Sequence, residues 1–320
     1  MRDRFALTPA QYRLVADGTL VALSLIVLTG AAVRLTGSGL GCPDWPRCYG
    51  NALPPISLHA LIEFGNRALS GLVGVLTVFA VVLAATRRPY RRDLLLISLL
   101  LPLGVVAQAV LGGFTVREHL APGFVMAHFS LSMLILIAAV ALSWRARHEP
   151  GDRPRSDQRL GVWGVRILAP LGALTILAGT AATAAGPHAG GSPGQRIHRL
   201  TFKGADTLQW VVHEHATIAA VFGVVVIGVW LLRRRQGVSG SALEPLTVLG
   251  VLLAGQGLIG SVQYELRLPT DMVWVHVAMA TLTWLVLLWA VVDAGRLTPR
   301  RVPVPAGEPS ASARTLEPVS

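Results

Sequence analysis

The stretch QAVLGGFTVREHLAPGFVMAH, residues 108–128, has a second version in the same chain, QGLIGSVQYELRLPTDMVWVH, residues 256–276. Each begins at a glutamine in an apolar run, passes a glycine (Gly112, Gly260) and a short polar loop, and enters a new apolar segment. Each ends on a histidine, His128 or His276, 20 residues after its glutamine. An imidazole inside an apolar segment loses its hydration and needs a partner, so it reads as functional. A repeated one reads as a repeated site.

The surrounding chain is apolar. Its 320 residues are 52% hydrophobic and 14% charged, where a soluble domain carries about 25% charged residues. Eight stretches reach the roughly 20 apolar residues that a bilayer-crossing helix needs: 14–36, 59–86, 93–115, 123–144, 163–186, 209–232, 243–263 and 271–293. The expected fold is all-α, a polytopic membrane protein of eight transmembrane helices. The net charge of +11 could suggest nucleic acid, but its distribution does not. With the N-terminus in the cytoplasm, 20 of the 28 basic residues fall on the inner side. That bias is the positive-inside rule, so both termini are predicted cytoplasmic and nucleic acid is excluded as a partner. Residues 1–13 run straight into a full-length span, so no cleavable leader is expected.

Leu28–Gly37 (LTGAAVRLTG) and Leu177–Gly186 (LAGTAATAAG) align at an offset of 149, which places Asn66 on His215. The Gln–Gly–His frame repeats at an offset of 148. The chain therefore divides into a cytoplasmic N-terminus (1–13), a four-helix half (14–146), a charged cytoplasmic linker (147–162), a second four-helix half (163–295) and a tail (296–320). The tail is rich in Pro, Ser, Ala and Thr and is predicted disordered. Four spans per half is an even number, so both halves insert in the same orientation. The expected arrangement is two tandem four-helix bundles related by a pseudo-twofold axis along the membrane normal.

In this topology Asn66, His128, His215 and His276 lie in the four outside-to-inside helices, about 8–12 Å below the outer face. Two imidazoles at one depth on facing helices can hold a haem iron axially. The plainer reading is a polar pair hydrogen-bonding across helices. His213 points about 200° away from His215. His59 sits two turns nearer the surface than Asn66, and His119, His148, His188 and His198 fall in loops. These are expected to be solvated.

Glu63 lies three residues before Asn66 on the same helix face. An ion pair with Arg67, at i+4, would neutralise it. Facing the first-half site, it would be a carboxylate available for proton transfer. The second half has Val212 at the equivalent position. The only cysteines, Cys42 and Cys48, share the first outer loop. An even count on the oxidising face favours a disulfide, either a staple of the loop or a pair that cycles.

Residues 33–48 (VRLTGSGLGCPDWPRC), Glu63–Arg67 (EFGNR), Gly112–Val116 (GGFTV) before His128, and His276 resemble the haem A synthase family across 14–295. The resemblance implies an enzyme of the bacterial plasma membrane that oxidises the C8 methyl of haem O to a formyl group. The product is haem A for cytochrome oxidase. It implies haem b as cofactor on His215 and His276, substrate haem on His128, and Glu63 as the catalytic carboxylate. Cys42 and Cys48 match the family's loop cysteines. The family's other first-half histidine falls on Asn66, which is a poor iron ligand. A five-coordinate substrate iron on His128, or a contact through water near Asn66, is expected instead. Arg34 and Arg67 are candidate propionate contacts, with snorkelling to headgroups as the alternative. The implied partners are haem O, haem O synthase, cytochrome oxidase assembly factors and the lipid bilayer, with a homo-oligomer left open. Two other readings compete. One is a b-type electron carrier, which would need haems near both faces; the other is a haem chaperone or transporter, for which paired midplane helix breaks are missing.

Overall fold

The computed structural model describes residues 6–192 and 194–298. It contains α1 (Pro9–Leu35), α2 (Leu58–Thr86), α3 (Arg92–Arg117), α4 (Pro122–Arg147), α5 (Arg159–Ala185), α6 (Thr207–Arg235), α7 (Glu244–Glu265) and α8 (Thr270–Asp293). All eight are long and apolar enough to cross a bilayer. The protein is an all-α, eight-span membrane protein.

The helices outrun their apolar stretches where capping chemistry allows. α1 starts at Pro9, so part of the expected N-terminal segment 1–13 is helical. The reason is a capping box: Thr8 accepts from the Gln11 N–H, and the Gln11 side chain accepts from the Thr8 N–H (2.9 Å). Pro9 at the first helical position gives up an N–H that would have had no partner. At the other end of the chain, Arg296–Leu297 (β2) pairs in parallel with Arg155–Ser156 (β1) from the α4–α5 linker. The Thr298 N–H also donates to Ser156 (3.0 Å). The expected disorder of 296–320 therefore fails for its first residues, which find backbone partners in the linker. Residues 299–320 lie outside the described residues.

Within each half the helices close a ring, α1–α2–α3–α4–α1 and α5–α6–α7–α8–α5. The rings meet through α4 on α5, α8 on α1, and α4 on α8. This pattern maps onto itself when the halves are exchanged. α4 and α8 are the most buried helices, and the Trp284 indole of α8 donates to the Met133 carbonyl of α4 (3.0 Å). The outward faces expose Val78, Ile227 and Leu258, as suits contact with lipid tails. At the Arg-rich end, Asp93 receives Arg91 (2.8 Å), Arg145 (3.2 Å) and Arg153 (2.7 Å). These pairs fasten the linker to α3 and α4.

Candidate functional site

The repeated sequence frame is a repeated structural unit. The Gln108 amide on α3 donates to the His128 carbonyl on α4 (3.0 Å), and Gln256 on α7 donates to the His276 carbonyl on α8 (3.2 Å). A side chain on Gly112 would begin 3.2 Å from the His128 ring, and one on Gly260 would begin 3.3 Å from the His276 ring. Each glutamine fixes the backbone that carries the histidine, and each glycine makes room for its ring. In both copies the histidine Nδ1 is buried without a hydrogen-bond partner. His128 and His276 are each the seventh residue of their helix; Asn66 and His215 are each the ninth. The four positions thus share one level at the disulfide-loop end of the bundle.

In the second half, the His215 and His276 rings lie 6.4 Å apart, centre to centre, at an interplanar angle of 75°. His215 Nδ1 lies 3.1 Å from the Thr175 carbonyl. A carbonyl only accepts, so Nδ1 carries the proton and Nε2 keeps a free lone pair. A backbone carbonyl that takes the proton-bearing nitrogen in this way fixes the ring so that the other nitrogen can meet a metal. An axial pair needs about 2 Å from metal to each ring nitrogen and roughly 1 Å more to each ring centre, about 6 Å in all. The observed spacing fits. Among the described residues no three His, Cys, Asp or Glu side chains gather into a metal site. Two imidazoles alone suit a metal that brings its own equatorial ligands, as a porphyrin does.

The first half has the same frame with different contents. A side chain on Gly179 of α5 would begin 3.0 Å from the His215 ring. Its counterpart Gly30 on α1 has no such neighbour within 4 Å, because Asn66 is shorter than an imidazole. The Thr29 hydroxyl occupies part of that room, 2.8 Å from Asn66 Oδ1 and 3.2 Å from the Ile26 carbonyl. Ile26 is the counterpart of Thr175, so the carbonyl that orients His215 in one half is met by a threonine hydroxyl in the other. Thr29 had no place in the sequence-based expectations. Its signal was present in the alignment, where Thr29 falls on Ala178 exactly where Asn66 replaces a histidine.

Glu63 is buried, 5% exposed, and both of its oxygens are engaged. The Cys42 N–H donates to Oε2 (2.7 Å) and Arg67 to Oε1 (2.5 Å). The ion pair weighed from the sequence is therefore present. The loop approaches this closely because residue 41 is glycine: a side chain there would begin 2.2 Å from the His59 carbonyl. Arg67 also donates to the carbonyls of Cys42 (3.0 Å), Asp44 (2.9 Å) and Arg47 (3.0 Å). Cys42 and Cys48 form a fully buried disulfide within that loop. His59 bonds the Ser38 hydroxyl (2.9 Å). Arg34 crosses between the halves, donating to the carbonyls of His188 (2.9 Å) and Thr183 (3.0 Å). Thr183 is its own counterpart in the repeat. Arg67 thus spends most of its donors on loop backbone, and Arg34 ties one loop carbonyl and the end of α5.

A family model described as cytochrome oxidase assembly protein, COX15-CtaA, matches residues 13–61 and 57–288. The chain belongs to the haem A synthase family. A Thermus thermophilus protein named protoheme IX farnesyltransferase is 31% identical over 318 residues, covering 94% of this chain but 51% of that protein. Haem A synthases of Alkalihalophilus pseudofirmus and Shewanella oneidensis are 30% and 34% identical, covering 39% and 37% of this chain. They are matched over 43% and 42% of their own lengths. The chain spans about half the length of the curated relatives it matches. Membership establishes a multi-pass membrane protein whose family acts in haem modification.

Proposed function

We propose that this protein is a haem A synthase, oxidising the C8 methyl of haem O to a formyl group. The observation that carries the reading is the asymmetry of the repeat. One half has a closed imidazole pair; the other has one imidazole, an open position beside Gly30, and a buried carboxylate on the helix that carries Asn66.

His215 and His276 would hold haem b, with the Thr175 carbonyl fixing the His215 tautomer. Haem b held there would supply electron transfer. His128, its backbone fixed by Gln108, would ligate the iron of the substrate. Asn66 and Thr29 leave the opposite side free of a strong protein ligand. Glu63, paired with Arg67 and accepting from the Cys42 N–H, lies on the helix that carries Asn66. There it would accept protons released from the methyl carbon and favour the cationic character that oxidation creates. Arg67 and the disulfide loop position this carboxylate. Any propionate contact would use the remaining Nη1 of Arg34 and Nε of Arg67.

In a bacterial plasma membrane, with both termini in the cytoplasm, the sites would lie toward the outer face. The Thermus relative supports a partnership with the enzyme that adds the farnesyl group, since a protein named for that transfer contains a region similar to nearly all of this chain. The family description supports delivery toward cytochrome oxidase assembly.

Purified protein should carry a low-spin b-type haem that is lost in His276→Ala. Glu63→Gln should keep that absorption while haem O conversion falls by about 100-fold or more. Conversion at the wild-type rate in Glu63→Gln would remove Glu63 from the chemistry.

A further inference from the structure

The Gln108 and Gln256 amide nitrogens donate to the carbonyls of His128 and His276, which settles which end of each carboxamide is nitrogen. Each Oε1 points elsewhere, and among the described residues it is buried without a hydrogen-bond partner. The Nδ1 atoms of His128 and His276 are buried and unpartnered in the same way. Protein interiors leave few polar atoms unsatisfied, and here two of them recur together in both halves. They are complementary. A carboxamide oxygen only accepts, and an imidazole whose Nε2 keeps its lone pair carries its proton on Nδ1.

The repeat's glycines place the two atoms on the same side of each ring. A side chain on Gly112 would begin 3.2 Å from His128 Cε1 and 3.8 Å from its Nδ1; for Gly260 and His276 the distances are 3.3 Å and 3.8 Å. The Cε1–Nδ1 edge of each imidazole is therefore turned to α3 or α7. Gln108 lies four residues before Gly112, and Gln256 four before Gly260, so each glutamine shares its glycine's helix face one turn away. The bare glycine leaves room beside Nδ1 that a methyl group would otherwise take. Neither Oε1 bonds its Nδ1 directly. A water between them would have the two polar partners that a buried water needs at the least.

We propose that Gln108 and Gln256 are positioning residues for two iron-binding imidazoles, each accepting the Nδ1 proton of its histidine through one bridging water. The inference rests on the functional reading above and adds the groups that set the ligand's tautomer and donor strength. With Nδ1–H engaged, Nε2 is the nitrogen that meets iron, and the acceptor raises its basicity. For His215 a backbone carbonyl, that of Thr175, plays this part; for His128 and His276 it falls to a side chain. The two copies also differ. The Gln108 amide donates to the Ser132 hydroxyl (2.6 Å) as well as to the His128 carbonyl, and Ala280 takes the place of Ser132 in the second half. A carboxamide that donates twice is a more polarised acceptor, so His128 is the more electron-rich ligand of the pair.

The test uses purified protein with its second-half haem in place, titrated potentiometrically at the haem absorption band. Gln256→Leu removes the acceptor; Gln256→Glu keeps an acceptor oxygen in either protonation state. Gln256→Leu should raise the midpoint potential by about 59 mV, the one-electron equivalent of a tenfold change in the reduction equilibrium. Its retained low-spin spectrum shows that it folds. Gln256→Glu should stay at or below the wild-type potential. In the first half, loaded with ferrous haem O, Gln108→Leu should move the iron–histidine stretching band of the resonance Raman spectrum to lower frequency, and Gln108→Glu should not. An unchanged potential in Gln256→Leu, or an equal rise in the Leu and Glu variants, reduces the glutamine to a clamp on the helix backbone and overturns the inference alone. If Gln256→Leu loses its haem, the Gln108 variants decide in the same way, with the second-half spectrum as the check on folding. Wild-type protein without a low-spin haem defeats the functional reading, and this inference with it.

Discussion

Gly179 and Gly30 hold the same place in the two halves, but the His215 ring packs against one and open space surrounds the other. Around them the scaffold is conserved within the chain: the glutamine clamp, the second glycine, the seventh-residue histidine and the ring of four helices. The difference lies in a few side chains. His215, oriented by the Thr175 carbonyl, fills the position with an imidazole in one half. Asn66, Thr29 and the Ile26 carbonyl leave that position unfinished in the other. The two cradles share one scaffold: the His215 ring fills the place beside Gly179, and Asn66 leaves the place beside Gly30 open.

The comparison can be broken most directly by closing the open half. Asn66→His should gain a second low-spin signal on haem addition, because Gly30 leaves room for the ring and Ile26 offers the orienting carbonyl. Combining it with Gly30→Leu should abolish the gain by filling that space. If Asn66→His alone adds no low-spin haem by electron paramagnetic resonance, the halves differ in more than these side chains.

A smaller effect separates the two glycines. Gly179→Ala should destabilise the holoprotein by about 1 kcal/mol, since the new methyl forces the His215 ring to shift. Gly30→Ala should be neutral or stabilise by up to about 1 kcal/mol through helix propensity. Thermal denaturation followed at the haem absorption band reads both. Equal shifts would contradict the difference in packing.

The smallest expected effect concerns the loop found only in the first half. The N–H groups of Gly50 (2.7 Å) and Tyr49 (2.6 Å) donate to Asp44, and hold its carboxyl below the usual carboxylate range despite some desolvation. A depressed carboxyl stabilises the loop at pH values above its unfolded pKa of about 3.9, and that contribution fades as pH falls through the lower folded value. Resistance of the Cys42–Cys48 disulfide to a phosphine reductant should therefore be steady from neutral pH down to about 4 and decline below it. Asp44→Asn should remove the decline. A decline that begins near pH 6 would point to a different group.

The eight spans, the two-part repeat and the level shared by Asn66, His128, His215 and His276 were all legible in the sequence. Apolar run length and residue spacing are local quantities, and a bilayer leaves a helix few alternatives to crossing it. The start of α1 at Pro9 was local too, but hydropathy does not register a capping box. Other features depended on residues far apart in the chain. The Glu63–Arg67 pair could be read from its spacing, but the second oxygen of Glu63 is met by the Cys42 N–H only because the loop folds back across Gly41. Arg34 and Arg67 read as propionate contacts or headgroup anchors, whereas the fold turns Arg67 onto the first-loop backbone and Arg34 onto the carbonyls of Thr183 and His188. The sequence by itself determined how many helices there are and which residues share a level, because periodicity encodes both. Only the tertiary structure decided which cradle is filled, since that depends on whether a ring on one helix reaches a glycine on another.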